Sequence, residues 1–124
     1  MKLTDLAIGD LILINNTPHK IQAIDSIDDE ILADDELYYV GEDRCHSEDK
    51  IEGIPITLEI LEKNGLWYYS NDMWLHDEVG FYIEKWNGRF QCYDINDIKL
   101  DSVHQLQQIL RLYGLNELAD NFKV

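Results

Sequence analysis

Four histidines, two cysteines and a dense acidic run are the residues of this chain that could do chemistry. The histidines are His19, His46, His76 and His104, and the cysteines are Cys45 and Cys92. A structural zinc site draws on spaced pairs such as Cys-x-x-Cys or His-x-x-x-His. Neither pattern occurs. Cys45 and His46 are neighbours, and adjacent side chains diverge on most backbones. We therefore expect no metal site and no cofactor. Two cysteines are too few for a disulfide framework, and a single bridge between them stays open. In "WLHDE", Asp77 follows His76, and a general base does need an orienting carboxylate. No partnered nucleophile accompanies it, so an ordinary surface histidine is the simpler expectation. A small enzyme acting on a nucleotide, with His76 or His104 as base, stays as an alternative class, and no catalytic residue is assigned.

The acids form a second group. Residues 25–52 hold twelve Asp and Glu against Arg44 and Lys50, within a chain of twenty-five acids, ten bases, formal charge −15 and pI near 4.3. A calcium loop needs oxygen ligands at alternate positions, a Gly at the sixth and a Glu at the twelfth. Counting from Asp25, Ile27 stands at the third position and the twelve residues 25–36 contain no Gly. A solvated acidic face is the expected outcome. Such a field repels nucleic-acid phosphate and anionic membrane surfaces, so neither direct nucleic-acid binding nor membrane association is expected. It favours solubility and basic partners. One alternative function follows: an acidic face at Asp28, Asp29, Asp34 and Asp35 mimics nucleic acid and blocks a DNA-binding host protein.

Aromatics make the third group. Trp67, Tyr68, Tyr69, Trp74, Phe81, Tyr82, Trp86, Phe90 and Tyr93 lie within 27 residues. Rings in this density stack on flat ligands, or they pack a sheet. Most are expected in the core. Candidate contact residues for a ligand or partner are Trp74, His76, Tyr82, Trp86, Arg89 and Tyr93.

These residues need elements to position them. Leu11, Leu13, Ile21 and Ala23 alternate as in half-buried strands, with turn chemistry at Asn15-Asn16-Thr17-Pro18 between them. "EILADDELYYV" suits one or two strands near 30–40, and 41–50 reads as a loop. A short helix follows, capped by Thr57 and stopped by Gly65, with Leu58 and Leu61 on one face. "WYYSNDMW" and "EVGFYIEKWNGRFQCYD" return to strands. Asn87-Gly88 signals a two-residue hairpin. That turn opposes Trp86 to Arg89, Tyr82 to Tyr93 and Ile83 to Cys92. It puts Phe81, Ile83, Phe90 and Cys92 on a covered face, with Tyr82, Trp86, Arg89 and Tyr93 opposite. The last helix opens on a Ser102–Gln105 capping box. Its stripe of Val103, Leu106, Ile109, Leu110 and Tyr113 spans roughly 120°, and Gly114 ends it. The expected fold is α+β: an N-terminal small SH3-like β-barrel or curled antiparallel sheet, a short middle helix, a β-meander and a C-terminal amphipathic helix packed on the sheet. The length suits a single domain over 1–124, with a β part at 1–52 and the remainder at 53–124.

No stretch approaches the ~20 apolar residues of a membrane span. "MKLTDLAIGDLILIN" carries Asp5 and Asp10 where a leader would be apolar. A cytoplasmic location is expected.

"LAIGDLILINNTPHKIQAI", "GIPITLEILEKNGL" and "VHQLQQILRLYGLNEL" occur in an order that resembles a set of short uncharacterised proteins of Bacteroidetes and their phages. Those read as "LRIGN", then "IPLTEE", then "VHQLQNLYFALTGEEL". The match covers about half the chain and is strongest at Val103-His104-Gln105-Leu106-Gln107 and Ile54-Pro55-Ile56-Thr57. Gln108-Ile109-Leu110 departs from Asn-Leu-Tyr, and the acidic 25–52 segment is not a hallmark of the set. No activity comes with the resemblance. It implies a setting in prophages and mobile elements and hence a counter-defence role. It also adds His104, Gln105 and Gln107, the polar edge of the last helix, to the candidate contacts. The leading expectation is a non-enzymatic binding protein that occupies a host protein or sequesters a small nucleotide-like ligand, with homo-oligomers allowed.

Overall fold

The computed structural model describes residues 1–41, 49–76, 78–92 and 95–124, with backbone alone for 95–99. Most of the loop expected at 41–50 lies outside the described residues, as do Asp77 and Tyr93. The fold is α+β, and the chain divides into two compact units, Met1–Ile54 and Pro55–Val124.

The first unit is a five-stranded antiparallel sheet in the order β4-β3-β2-β1-β5. Its strands are β1 Leu11–Ile14, β2 Thr17–Asp25, β3 Glu30–Ala33, β4 Glu36–Tyr39 and β5 Ile51–Gly53. β2 is the long strand, and its register shifts between Ile21 and Ala23. The part before the shift pairs with β1 and the part from Ile21 onward with β3. A bulge bends its strand and raises the local twist. The sheet is therefore curled, with β4 and β5 left as edges rather than joined into a closed barrel. Ile12, Ile14, Ile21, Ile31, Ala33, Val40 and Leu6 form its core. This corrects the facing of β1. Ile12 and Ile14 point inward, while Leu11 and Leu13 are half-buried and Ala23 is exposed. In "LILI" every position is apolar, so hydrophobicity does not select the parity, and a shift of one residue exchanges the faces. Asp10 is buried just before β1, where its Oδ2 accepts from the Ala7 amide at 2.9 Å.

The second unit begins with α1 Leu58–Lys63, continues as a β6–β10 meander, and closes with α2 Val103–Leu112 and α3 Asn116–Asp120. The strands are β6 Trp67–Ser70, β7 Met73–His76, β8 Phe81–Trp86, β9 Arg89–Cys92 and β10 Ile95–Leu100. Trp86 opposes Arg89 and Ile83 opposes Cys92, as the Asn-Gly turn requires. Phe81, Ile83 and Cys92 are buried on one face, and Trp86 is exposed on the other. α2 packs against β10 and α3. The Tyr113 ring that follows it meets Phe81 edge-on at 5.5 Å, which ties the helix end to the sheet.

Both glycine stops form the same device. Gly65 (φ 78°) and Gly114 (φ 76°) are left-handed. The amides of Gly65 and Leu66 donate to the carbonyls of Glu62 and Leu61, and those of Gly114 and Leu115 to Arg111 and Leu110. This is the Schellman pattern. The Thr57 side chain accepts from the Ile60 amide at 3.2 Å, the expected cap. Leu58 does not share the buried face with Leu61: it is exposed, and Ile60 is buried instead.

Four hairpins turn on two residues that both have positive φ: Asn15-Asn16, Asp34-Asp35, Asn71-Asp72 and Asn87-Gly88. Asn, Asp and Gly tolerate that region, and such turns match strand twist. Asp34 and Asp35 thus have a backbone role independent of charge.

A candidate ligand cleft in the second unit

An open cleft of about 420 Å³ is lined by Lys63, Asn64, Gly65, Trp67, His76, Glu78, Leu118, Asn121 and Lys123. It lies where the end of α1, the start of β6, the end of β7 and the segment after α3 come together. The volume falls in the range of small-molecule sites.

Asn64 fastens the walls. Its Nδ2 donates to the carbonyls of Ile60 and Lys123, both at 2.8 Å, and its Oδ1 accepts from the Lys123 amide at 2.8 Å. The side chain is buried, so these bonds replace water that cannot reach it. They hold Lys123 beside the end of α1. Gly65 serves twice. Its φ requires a left-handed residue, and a Cβ there would come within 2.9 Å of His76 Nε2. The absent side chain lets the imidazole edge lie against the backbone. His76 Nδ1 is buried and has no hydrogen-bond partner among the described residues.

The electrostatics of the cleft differ from those of the chain. Among the described lining residues, Lys63 and Lys123 stand against one carboxylate, that of Glu78, in a unit with eleven acids and six bases overall. The nearest ion pair to Lys63 is a loose one, Nζ to Glu59 Oε1 at 3.9 Å along the helix. Lys63 also sits in the last turn of α1, where its charge offsets the carbonyl end of the dipole. Trp67 contributes an indole that is 56% exposed. Two ammonium groups, an imidazole and a free aromatic face are the groups that recognise an anion attached to a flat ring.

Among the described residues expected to make contacts, His76 alone lines this cleft. Trp74 is buried, its ring edge-on to Tyr68 at 5.5 Å and to Phe90 at 5.4 Å, and it belongs to the core. Tyr82 is half-buried beside a nook of about 90 Å³. Trp86 and Arg89 are exposed next to the Asn87-Gly88 turn, and Arg89 pairs with Asp101 at 3.1 Å. The polar edge of α2 is bonded within the unit. His104 and Gln107 are buried. His104 Nδ1 meets Ser102 Oγ at 3.1 Å, and Gln107 Nε2 donates to the Ala119 carbonyl at 2.9 Å. Gln105 completes the capping box, its Oε1 accepting from the amides of Asp101 and Ser102 at 2.7 and 3.0 Å. All three hold the helix and its neighbours, and Gln105 is half-buried. Cys92 is a free, buried thiol 3.4 Å from the Tyr113 hydroxyl.

The acids sit in separate turns. Asp28 and Asp29 precede β3, and Asp34 and Asp35 follow it. Asp34 pairs with the His19 ring. The Asp35 amide donates to Gln22 Oε1 at 2.9 Å. Asp25 Oδ1 accepts from the amides of Ile27 and Asp28, a local turn bond. Carboxylates of Asp25, Asp28 and Glu30 come within 4.8 Å of one another on the surface. Tyr38 donates to Glu36 Oε2 at 2.9 Å, and that bond, with the surrounding carboxylates, raises its pKa above the usual tyrosine value.

Sequence reasoning passed over Trp67, Lys63 and Lys123 as a set. They are 60 positions apart at the extremes, and the Asn64 clasp holds Lys123 beside the end of α1. No helix among the described residues is long and apolar enough to cross a membrane. Comparison with protein-family models, curated proteins and solved structures returned no match.

Proposed function

We propose that this is a non-enzymatic binding protein that sequesters a small, anionic, nucleotide-like ligand in the cleft of its second unit. The observation that carries the reading is the convergence of Lys63, Lys123 and His76 with the exposed Trp67 ring, in a chain of formal charge −15. A strongly acidic protein that nonetheless gathers two lysines beside an aromatic face has the chemistry to bind phosphate and base together. The resemblance of "VHQLQ" and "IPIT" to phage and prophage proteins supplies the setting, and counter-defence by ligand capture is the role proposed within it. The nucleic-acid mimic draws less support. Its four aspartates are divided between the two ends of β3, and Asp34 and Asp35 form a turn.

The test is calorimetric titration with a panel of nucleoside monophosphates and cyclic nucleotides at low salt. One ligand should bind per chain and be recovered chemically unchanged. The double variant Lys63→Gln, Lys123→Gln should weaken binding at least tenfold, and Trp67→Ala should weaken it separately. Equal binding by wild type and the double variant would remove the cleft from the account, and turnover of the ligand would replace it with an enzyme.

A further inference from the structure

Among the described residues, Glu78 is the one acid that lines the cleft, and it shares that space with Lys63 and Lys123. In a chain of twenty-five acids an exposed glutamate is ordinary, and its company here is not. Among the described residues no ion pair ties it to either lysine. The Gly80 amide donates to the His76 carbonyl at 2.9 Å, which closes the link from β7 to β8 and keeps Glu78 two residues beyond His76. Trp67 opposes Leu75 across the β6–β7 ladder, so the indole stands beside the same end of β7 from which Glu78 follows. Lys63 and Lys123 come from the end of α1 and the segment after α3, which the Asn64 clasp joins. The cleft is therefore divided by element. Its lysines come from the helical joins, and its ring and carboxylate come from the strand ends. Asn121 adds a second acceptor, since its Nδ2 is engaged on the Glu117 carbonyl at 3.0 Å and its Oδ1 is left.

We infer, on the footing that the cleft holds a nucleotide stacked on Trp67, that Glu78 reads the base and selects guanine. An ionised carboxylate only accepts, and it binds best to two parallel donors. Guanine carries that pair, its N1–H beside its N2 amine. Adenine sets an N1 acceptor beside its N6 amine, and cytosine sets N3 beside N4, so each turns a lone pair toward the carboxylate. Uracil places its N3–H between two carbonyl oxygens. The phosphate itself is repelled by Glu78 and drawn to the lysines. A stacked nucleotide thus meets the carboxylate with the edge of its base, and guanine is the common base whose edge fits.

Calorimetric titration with the monophosphates of guanosine, inosine, adenosine and cytidine tests this. Inosine is the sharpest probe, because its base keeps N1–H and lacks the N2 amine. The wild type should bind guanosine monophosphate roughly tenfold or more tighter than the other three. Glu78→Gln should remove most of that preference with an unchanged circular dichroism spectrum. Adenosine monophosphate should bind this variant no more weakly than wild type, because an amide both donates and accepts and a negative charge is gone. Glu62→Gln, at an exposed acid of α1 outside the lining, should keep the guanine preference. Suppose instead that all four nucleotides bind alike and all are weakened by Lys63→Gln, Lys123→Gln. The cleft would then stand as a nucleotide site, and guanine selection would be overturned. A guanine preference that survives Glu78→Gln would overturn the role of Glu78. Binding of none of the four would remove the nucleotide reading and this inference together.

Discussion

The two sheets are built from the same parts and differ in what surrounds them. Each is five antiparallel strands, and each makes its tight hairpins with two left-handed residues drawn from Asn, Asp and Gly. The first unit carries fourteen acids against four bases, and several of its described carboxylates, such as Asp25, Glu36 and Asp10, serve turns and local bonds. The second carries eleven against six and adds helices, of which α1 has its end clasped to the segment after α3. The first unit has a hollow of about 310 Å³ of its own, lined by Lys2, Leu3, Thr4, Ser26, Asp29, Val40 and Gly41, none of them within a strand. The larger cleft is in the second unit. The cleft comes from helix termini and from one buried amide, Asn64, that holds distant residues together. A repeated architectural solution is thus no guide to where a cleft forms, and the irregular joins between elements are.

The sharpest way to break this contrast is at the clasp. Asn64→Ala removes three hydrogen bonds and leaves buried groups unpaired. It should destabilise the second unit by about 3 kcal/mol. The three tryptophans all lie in that unit, so urea unfolding followed by tryptophan fluorescence reads the effect. Gly65→Ala should follow at about 2 kcal/mol, combining left-handed strain with the collision on His76. The same substitution should displace the His76 resonances, which a capping role alone would leave in place.

The turns sharpen the comparison from the other side. Asp35→Val should cost about 1–2 kcal/mol, because a β-branched residue does not tolerate φ of 62°. Asp35→Asn should leave stability within about 0.5 kcal/mol of wild type, since Asn suits the turn. If the two variants are equally destabilised, the carboxylate rather than the backbone is what matters at β3–β4.

The smallest effect concerns Tyr38. Its folded pKa lies above the ordinary value, so its contribution to stability is complete below the unfolded pKa near 10 and is lost as pH rises through the folded pKa. Glu36→Gln should move the titration, followed by ultraviolet absorbance, back toward the ordinary value. An unchanged titration would mean that the hydrogen bond to Glu36 is not its cause.

Local signals made much of this fold legible. Gly65, Gly114, the Asn-Gly turn, the Thr57 cap and the stripe of α2 each act within a few residues, and each stands where the sequence places it. The inward face of β1 was not legible, since four consecutive apolar residues offer no alternation to read. Polar residues beside the stripe carry structural bonds that periodicity does not reveal. Gln105 and Gln107 fall outside the apolar stripe, yet one caps the helix and the other bonds a carbonyl of α3. A polar residue beside a stripe is as readily a structural hydrogen bond as a contact surface. Asp34-Asp35 were weighed for charge, while their turn chemistry resembled that of Asn87-Gly88. The cleft itself was hidden because Lys63, His76 and Lys123 have no common motif, and a long-range clasp gives no periodic signal.

The measurement that bears most directly on the account is backbone and side-chain NMR mapping while the tightest nucleotide of the panel is titrated in. The account predicts shifts at the Trp67 indole, His76, Lys63 and Lys123, with residues of the first unit unmoved. Shifts centred on the acidic turns around Asp28 and Asp34, or no shifts with any nucleotide, would contradict it.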